Sequence, residues 1–141
     1  MEFNKIVAGM SASYSQTITD SDVKSFSGIS GDKNPIHMDE KYASVSRYKK
    51  RIVHGLLPCS FFSALFGTKL PGEGCVYASQ SIKFLRPIYI GDTVTASVIV
   101  KSLDHQKHNI HFETICKVEN KVVINGEACI FVPPTKKNLV N

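Results

Sequence analysis

The segment HGLLPCSFFSALFGTKL, residues 54–70, is the only long apolar helix candidate in the chain. Its apolar residues, Leu57 and Leu65 among them, cover most of a helical circumference, and a helix that is apolar on nearly every side is typically a buried one. Pro58 falls in the first turn, where proline is tolerated, and Pro71-Gly72 ends the run. The segment therefore predicts one central helix that the rest of the chain must cover.

Strand patterns lie on both sides of this segment. Residues 11–18 alternate and are rich in β-formers, which predicts a first strand. Four later runs with the same character predict four more strands, at 76–85, 93–102, 109–118 and 122–132. This order predicts an α+β domain in which a curved antiparallel sheet wraps one helix. Such a sheet has an open edge, which the pairing of two subunits would cover.

Shorter elements are predicted between the first strand and the central helix. Residues 19–22 supply a helix cap and first-turn acids, and apolar residues at helical spacing follow over 23–29 until Gly31 ends the helix. A second short helix is predicted near Asp39-Glu40. The basic stretch 46–51 is expected to be a mobile loop.

The 141 residues suffice for one domain, assigned to 1–134, with 135–141 expected to be a flexible tail. Nothing resembles a signal peptide, and no apolar run is long enough to span a bilayer. The four cysteines are scattered without metal-ligand spacing, which predicts reduced thiols in a cytoplasmic protein.

Lysine and arginine outnumber aspartate and glutamate by 17 to 12, for a net charge of +5. The sequence lacks nucleic-acid-binding signatures, and its basic clusters carry no interleaved aromatics, so we expect no nucleic-acid partner. A phosphorylated small ligand fits the modest excess, although each cation taken singly is equally typical of a solvated surface.

Asp32 and His37 flank Asn34-Pro35 in the stretch GDKNPIH. If the turn brings both side chains together, they can hold one water between them, and proline would limit how far the gap flexes. The same residues are also typical of a simple turn in which Asp32 bonds its own backbone. Spacing alone favours the simple turn.

Gly55 stands at the start of the central helix, where unpaired amides and the helix dipole favour negative charge. Its N–H could polarise a carbonyl group, or Gly55 could be only a tight entry into a packed helix. Ser63, within that helix, either bonds a main-chain carbonyl or contacts Asp32 or a substrate. No G-x-S-x-G elbow, phosphate loop or dinucleotide fingerprint is present. Three histidines are predicted at the surface rather than as metal ligands: His105, His108 and His111.

Residues 26–43, FSGISGDKNPIHMDEKYA, resemble the signature of the MaoC-like, (R)-specific enoyl-CoA hydratases. That signature is an aromatic, a small residue with G-D-x-N-P-aliphatic-H, and another small residue six positions on. The resemblance continues through 52–57, 70–72, 80–88 and 91–92 at matching spacing, so that it covers nearly the whole domain.

The resemblance implies the hotdog fold, usually in a homodimer, with a dimer of dimers as the alternative assembly. It also implies reversible hydration of a trans-2-enoyl-CoA to the (3R)-3-hydroxyacyl-CoA in fatty acid metabolism. Asp32 and His37 then match the catalytic pair, Gly55 the oxyanion-hole glycine, and Ser63 a serine near the active site. Asp32 is expected to take a proton from water and His37 to give one to the α-carbon, with the reverse assignment left open. Leu56 replaces a methionine found in many relatives.

We also expect several residues to bind or position the substrate. No metal or redox cofactor is implied. Asn34 would help to position the pair, and Phe62 and Phe66 would floor an acyl pocket for about four to six carbons. Three cations are candidates for the phosphates of coenzyme A: Lys83, Arg86 and Arg51. Three alternatives remain: a dehydratase or hydratase for carrier-protein, branched or dicarboxylic thioesters; a hotdog thioesterase; and a non-catalytic acyl-CoA-binding module.

Overall fold

The computed structural model describes residues 1–134, in which a five-stranded sheet is packed on one long helix. The predicted tail at 135–141 lies outside the described residues. In chain order, the elements are a 3-10 turn (Phe3–Lys5), β1 (Ser11–Thr17), α1 (Asp20–Ser30), α2 (Pro35–Met38), α3 (Glu40–Ser44), α4 (Leu56–Thr68), β2 (Val76–Phe84), β3 (Thr93–Asp104), β4 (Asn109–Val118) and β5 (Lys121–Phe131).

The sheet is antiparallel throughout, with the strand order β1-β3-β4-β5-β2. Register irregularities interrupt three of the four strand pairs, and such bulges bend strands and increase their twist. The strands bury one face, since β3 and β4 alternate between buried and more exposed residues. The predicted α+β class and all five predicted strands are confirmed.

The core forms where α4 lies against the sheet. Phe62 is fully buried, and the ring of Phe66 lies 4.8 Å from that of Phe112 on β4 and 5.0 Å from that of Tyr77 on β2. A buried side chain of this size contributes about 1.5–3 kcal/mol relative to exposure. Packing on α4 therefore holds the sheet in its curved form.

One face of α4 is not covered, which differs from the prediction of a helix buried on every side. That face consists mostly of small residues and lies open in the single chain, at Leu56, Ser60, Ser63, Ala64 and Gly67. The edge strand β2 is also mostly exposed. An apolar sequence does not distinguish a helix covered by its own sheet from one covered partly by another molecule.

The helix α1 begins and ends as its sequence predicts. The Thr19 hydroxyl accepts from the Asp22 N–H, while the Asp22 carboxylate accepts from the Thr19 N–H, which completes a capping box. Gly31 ends the helix with φ at +79°, a left-handed conformation that favours glycine. These caps fix where the chain leaves α1 and enters the loop containing Asp32.

The N-terminal turn is a feature that the sequence did not predict. Phe3 is buried and stacks on His108, with ring centroids 4.5 Å apart. His108 is therefore half-buried rather than on the surface, whereas His105 and His111 are exposed as predicted.

The four cysteines are unpaired, as expected for reduced thiols. Burial raises the pKa of Cys59 and that of Cys116 to about 12, so these thiols are poor nucleophiles. Within residues 1–134, no helix is both long and apolar enough to cross a membrane.

Replacing Phe62 by alanine should lower the free energy of unfolding by about 3–5 kcal/mol, because it empties a fully buried aromatic site. Phe84→Ala is the matched control: this residue is 55% exposed, so the loss of its side chain should cost less than about 1 kcal/mol. Urea denaturation of both variants measures the difference. Equal destabilisation would contradict this account of the core.

Candidate active site

The main-chain carbonyl of Asp32 is held by side chains from two directions. The Ser27 hydroxyl of α1 donates to it at 2.9 Å, and Nε2 of His54, from the segment before α4, lies 2.9 Å away. The Asp32 N–H in turn donates to the Ser30 hydroxyl at 3.1 Å. The backbone at Asp32 is therefore fixed even though its carboxylate is half-exposed.

Asn34 and Pro35 shape the turn between the two candidate residues. The Asn34 N–H donates to Oδ1 of Asp32 at 3.1 Å, and Asn34 Oδ1 accepts from the Ile36 N–H at 3.2 Å as the cap of α2. Pro35 occupies the first turn of α2, where its missing N–H costs nothing. The local Asx-turn is thus present, and it leaves Oδ2 of Asp32 free to face His37.

His37 lies on the single turn α2 with its ring fixed by the main chain. Its Nδ1 is 2.8 Å from the Ile52 carbonyl. Because a carbonyl only accepts, Nδ1 carries the proton and Nε2 of the neutral ring presents a lone pair. Nε2 lies 4.0 Å from Oδ2 of Asp32, too far for a direct hydrogen bond but suited to one water that contacts both.

His54 is a site residue whose role sequence analysis missed. Its ring stacks on that of His37, with centroids 3.9 Å apart and planes at 29°, and Phe26 packs on it at 4.9 Å. His54 is also the residue that bonds the Asp32 carbonyl. Its place before Gly55 at the start of an apolar helix was the available signal, but the sequence does not reveal which ring it would meet.

Burial lowers the pKa of His37, because the imidazolium would lose water in a site where only 8% of the residue is exposed. The contact with the Ile52 carbonyl and the charge of Asp32 act in the opposite direction, while His54 and Arg51 lower the pKa further. The ring is therefore neutral near physiological pH and is able to accept a proton at Nε2.

A cavity of about 580 Å³ connects this pair to the start of α4. Asp32, His37 and Gly55 all line it, and no residue of the described chain accepts a main-chain hydrogen bond from the Gly55 N–H. A Cβ at Gly55 would lie 2.5 Å from the Phe84 ring, so only glycine fits without moving that ring. The remaining lining is largely apolar, with Phe26, Val53, Leu56, Phe84, Leu85 and Ile88.

Two arginines stand at this cavity. Arg86, predicted as a phosphate-binding residue, lines it, and so does Arg47 of the basic loop. Lys83 does not: it lines a separate depression with Lys101 on the sheet. Neighbouring residues on a strand face opposite sides, so Lys83 and Phe84 cannot both face this cavity, and the prediction for Lys83 is not supported.

Four other predicted site residues lie elsewhere. Arg51 is buried and its guanidinium contacts Asp20, so it is not free to bind a phosphate. Phe62 and Phe66 are buried in the core and do not line the cavity, which removes the basis for a pocket floor made by them. Ser63 lies on the open face of α4, away from the cavity of its own chain.

Among the described residues, the donor atoms of Asp32, His37 and His54 lie within 4.8 Å of one another and form a group that could hold a metal ion. The rings of His37 and His54 are stacked, and Nε2 of His54 already contacts the Asp32 carbonyl. The arrangement is better suited to water: a carboxylate and a neutral imidazole can orient one molecule beside a free N–H that polarises a carbonyl.

Comparison with known families agrees with this geometry. Residues 3–126 match the family described as MaoC like domain. Among curated proteins, the (R)-specific enoyl-CoA hydratase of Rhodospirillum rubrum is 50% identical over 131 residues, which are 93% of this chain and 91% of that protein. The 3-hydroxybutyryl-CoA dehydratase of Methylorubrum extorquens is 39% identical and covers 93% of this chain and 83% of its own length.

Solved structures are similar as well. The (R)-hydratase from A. caviae, described as involved in PHA biosynthesis, superposes with a TM-score of 0.88 at 35% identity, over 91% of this chain and 98% of that one. An R-hydratase of Pseudomonas aeruginosa gives 0.89 at 34% identity, over 94% and 86%. These matches confirm the hotdog fold that the sequence resemblance implied.

The imidazole of His37 should titrate with a pKa below the ordinary value of about 6.5, because burial opposes its charged form. Asp32→Asn removes a nearby negative charge that favours the imidazolium, so the pKa should fall further in that variant. Histidine NMR titration of both proteins measures the two values. A His37 pKa above the ordinary value in the unsubstituted protein would contradict the assignment of burial as the dominant effect.

Proposed function

The chain belongs to the MaoC-like domain family, and on that premise we propose that it is an (R)-specific enoyl-CoA hydratase, a hydro-lyase that reversibly adds water to trans-2-enoyl-CoA. The geometry of three residues supports this proposal. Oδ2 of Asp32 and Nε2 of His37 lie 4.0 Å apart in a cavity that Gly55 also lines. Hydration of a conjugated thioester requires two groups that orient and activate water, here Asp32 and His37, beside an N–H that polarises the carbonyl, here that of Gly55.

The first step is polarisation of the thioester. Its carbonyl oxygen accepts the Gly55 N–H, beside the N-terminus of α4, where the helix dipole also favours negative charge. Electron density then shifts from the double bond toward the oxygen, and the β-carbon becomes electrophilic. A preformed donor of this type acts most strongly on the enolate-like transition state, where the oxygen carries the most charge.

The proton path follows from the tautomer of His37. The attacking water donates one O–H to Nε2 of His37 and the other to Oδ2 of Asp32, and its oxygen bonds to the β-carbon. Since neutral His37 has no proton at Nε2, it takes the water proton and then delivers it to the α-carbon as the enolate collapses. This assigns to His37 the proton acceptance that the sequence led us to expect of Asp32, because a ring with its Nδ1 proton held by the Ile52 carbonyl begins the reaction as an acceptor. The delivery of a proton to the α-carbon stays with His37, and Asp32 orients the water.

The coenzyme A end is assigned to the arginines at the cavity. Arg47 and Arg86 both line it, and guanidinium groups suit phosphate oxygens because they offer paired donors in a fixed plane. Arg47 is supported by Tyr48, whose hydroxyl accepts from it at 2.8 Å. No other cofactor is needed, since the thioester is the substrate.

We assign the acyl chain to the apolar part of the cavity, beside Leu56, Phe84 and Leu85. A short chain of about four to six carbons suits a lining in which the Phe84 ring lies against Gly55. The Methylorubrum relative, named for a four-carbon substrate, supports the same choice.

We further propose a homodimer in the cytoplasm. The open face of α4 and the exposed edge strand β2 are both left uncovered in the single chain, and pairing with a second copy would cover such surfaces. Cytoplasmic placement is supported by four unpaired cysteines.

Asp32→Asn and His37→Gln should each lower the turnover of crotonyl-CoA on the order of a hundredfold or more, because each removes one of the two groups that orient and activate water. His111→Gln, an exposed substitution on β4, should leave the rate unchanged. Loss of absorbance by the conjugated thioester gives the rate, and chiral analysis should identify the (3R) product. Near-normal rates in both variants would refute the proposal, and release of free thiol would indicate thioester hydrolysis instead.

A series of substrates tests the proposed acyl chain length and the proposed binding of coenzyme A. The ratio kcat/KM should be highest for enoyl groups of about four to six carbons and fall for longer chains, because the apolar lining near Phe84 leaves limited length. The same acyl groups on a carrier protein should react more slowly than on coenzyme A if Arg47 and Arg86 bind the nucleotide phosphates. A maximum at ten carbons or more, or a preference for the carrier protein, would overturn these assignments.

A further inference from the structure

Arg51 is a buried cation whose role is not explained by substrate binding. Only 8% of the residue is exposed. Its Nε donates to the His37 carbonyl at 2.6 Å, and its Nη2 lies 2.8 Å from Oδ1 of Asp20 on α1. Nη1 lies 3.7 Å from the Glu40 carboxylate on α3. Burying a guanidinium is costly unless it is paired and hydrogen-bonded. The hydrogen bond of Nε and the ion pair with Asp20 offset that cost, although Nη2 and Oδ1 are close without hydrogen-bond geometry.

We propose that Arg51 is a positioning residue for the hydration reaction: it holds the single turn that carries His37 and keeps the imidazole in its accepting orientation. This inference rests on the proposed function, because the reaction supplies the role of His37. Arg51 itself is not expected to touch the substrate.

The need for such a residue follows from the size of α2. A helix of four residues is too short to be stable by its own hydrogen bonds, so contacts from outside must set the orientation of His37. Three contacts join residues 36–37 to residues 51–52. They are the Arg51 Nε–H to the His37 carbonyl, the Ile52 N–H to the Ile36 carbonyl at 3.3 Å, and His37 Nδ1 to the Ile52 carbonyl.

Arg51 is the member of this set that reaches other elements. Through Asp20 it connects α2 to the capped first turn of α1, and through Glu40 it approaches α3. The guanidinium therefore contacts residues of three helices near His37, namely α1, α2 and α3. It does so because it is planar and carries several donors, and a lysine ammonium cannot reproduce this arrangement.

Charge gives Arg51 a second effect on the same ring. The charged or titratable groups that face His37 are Asp32 from the loop after α1, His54 from the segment before α4, and Arg51. Asp32 favours the imidazolium, whereas His54 and Arg51 oppose it. Removing the positive charge of Arg51 should therefore raise the pKa of His37, and the unpaired carboxylates of Asp20 and Glu40 would act in the same direction.

The experiment compares Arg51→Met, Arg51→Lys and the matched control Lys24→Met. Lys24 also pairs with Asp20, at 2.8 Å, but it is exposed and lies on α1. For each protein, kcat and KM for crotonyl-CoA are measured across pH, together with the His37 titration by NMR in the free protein. A thermal melt identifies any variant that fails to fold.

Arg51→Met should lower kcat about tenfold to a hundredfold with KM changed less than about threefold, because misplacing a catalytic group affects the transition state more than binding. The acid limb of kcat/KM and the His37 pKa should both move to higher pH. Arg51→Lys should also lower kcat but leave the acid limb in place, since it keeps the charge. Lys24→Met should change neither kcat nor the pH of the acid limb of kcat/KM.

Wild-type kcat together with an unmoved His37 pKa in Arg51→Met would overturn the proposal, as would equal effects of Lys24→Met. If Arg51→Met does not fold, normal kcat in Arg51→Lys overturns it instead. Failure of the proposed function is a separate result: wild-type protein would then not hydrate crotonyl-CoA, while the NMR titration would still show whether Arg51 acts on His37.

Discussion

The contact between Nδ1 of His37 and the carbonyl of Ile52 is the interaction on which the site depends. It fixes the tautomer, so that Nε2 is an acceptor, and it fixes the direction in which Nε2 faces. It also joins the segment after α1 to the segment before α4, which are otherwise separated in sequence. Without it, the four-residue turn would still be held by the Arg51 Nε–H and the Ile52 N–H, but the His37 ring would lose the hydrogen bond that sets its direction toward Asp32.

The rest of the fold positions the residues on either side of that contact, Asp32 and Gly55. The capping box of α1 and its terminal Gly31 determine where the Asp32 loop begins, and Ser27 and His54 hold the Asp32 carbonyl. On the other side, packing of α4 against the sheet fixes the position of Gly55 and its free N–H. The sheet therefore acts indirectly: it holds α4 in place, and α4 presents the donor to the pair that binds water.

The sequence predicted the elements and the central site residues because these depend on local patterns. Caps, turn residues and apolar periodicity identified α1, α4 and the strands, while Asp32, His37 and Gly55 were found through spacing and resemblance. Burial by distant partners was not predictable in the same way. Arg51 belongs to a basic run that suggests an exposed loop, but it is buried and pairs with Asp20, which lies far earlier in the chain. Phe66 and Lys83 were misplaced because a periodic pattern gives a helix or strand face without saying what that face meets.

The most direct test of the central claim is a crystal structure of the Asp32→Asn variant with crotonyl-CoA bound. The thioester oxygen should lie about 3 Å from the Gly55 nitrogen, with the β-carbon facing the substituted amide at position 32 and Nε2 of His37. A water molecule should lie within hydrogen-bonding distance of both side chains. A thioester oxygen turned away from Gly55, or a β-carbon remote from His37, would contradict the account.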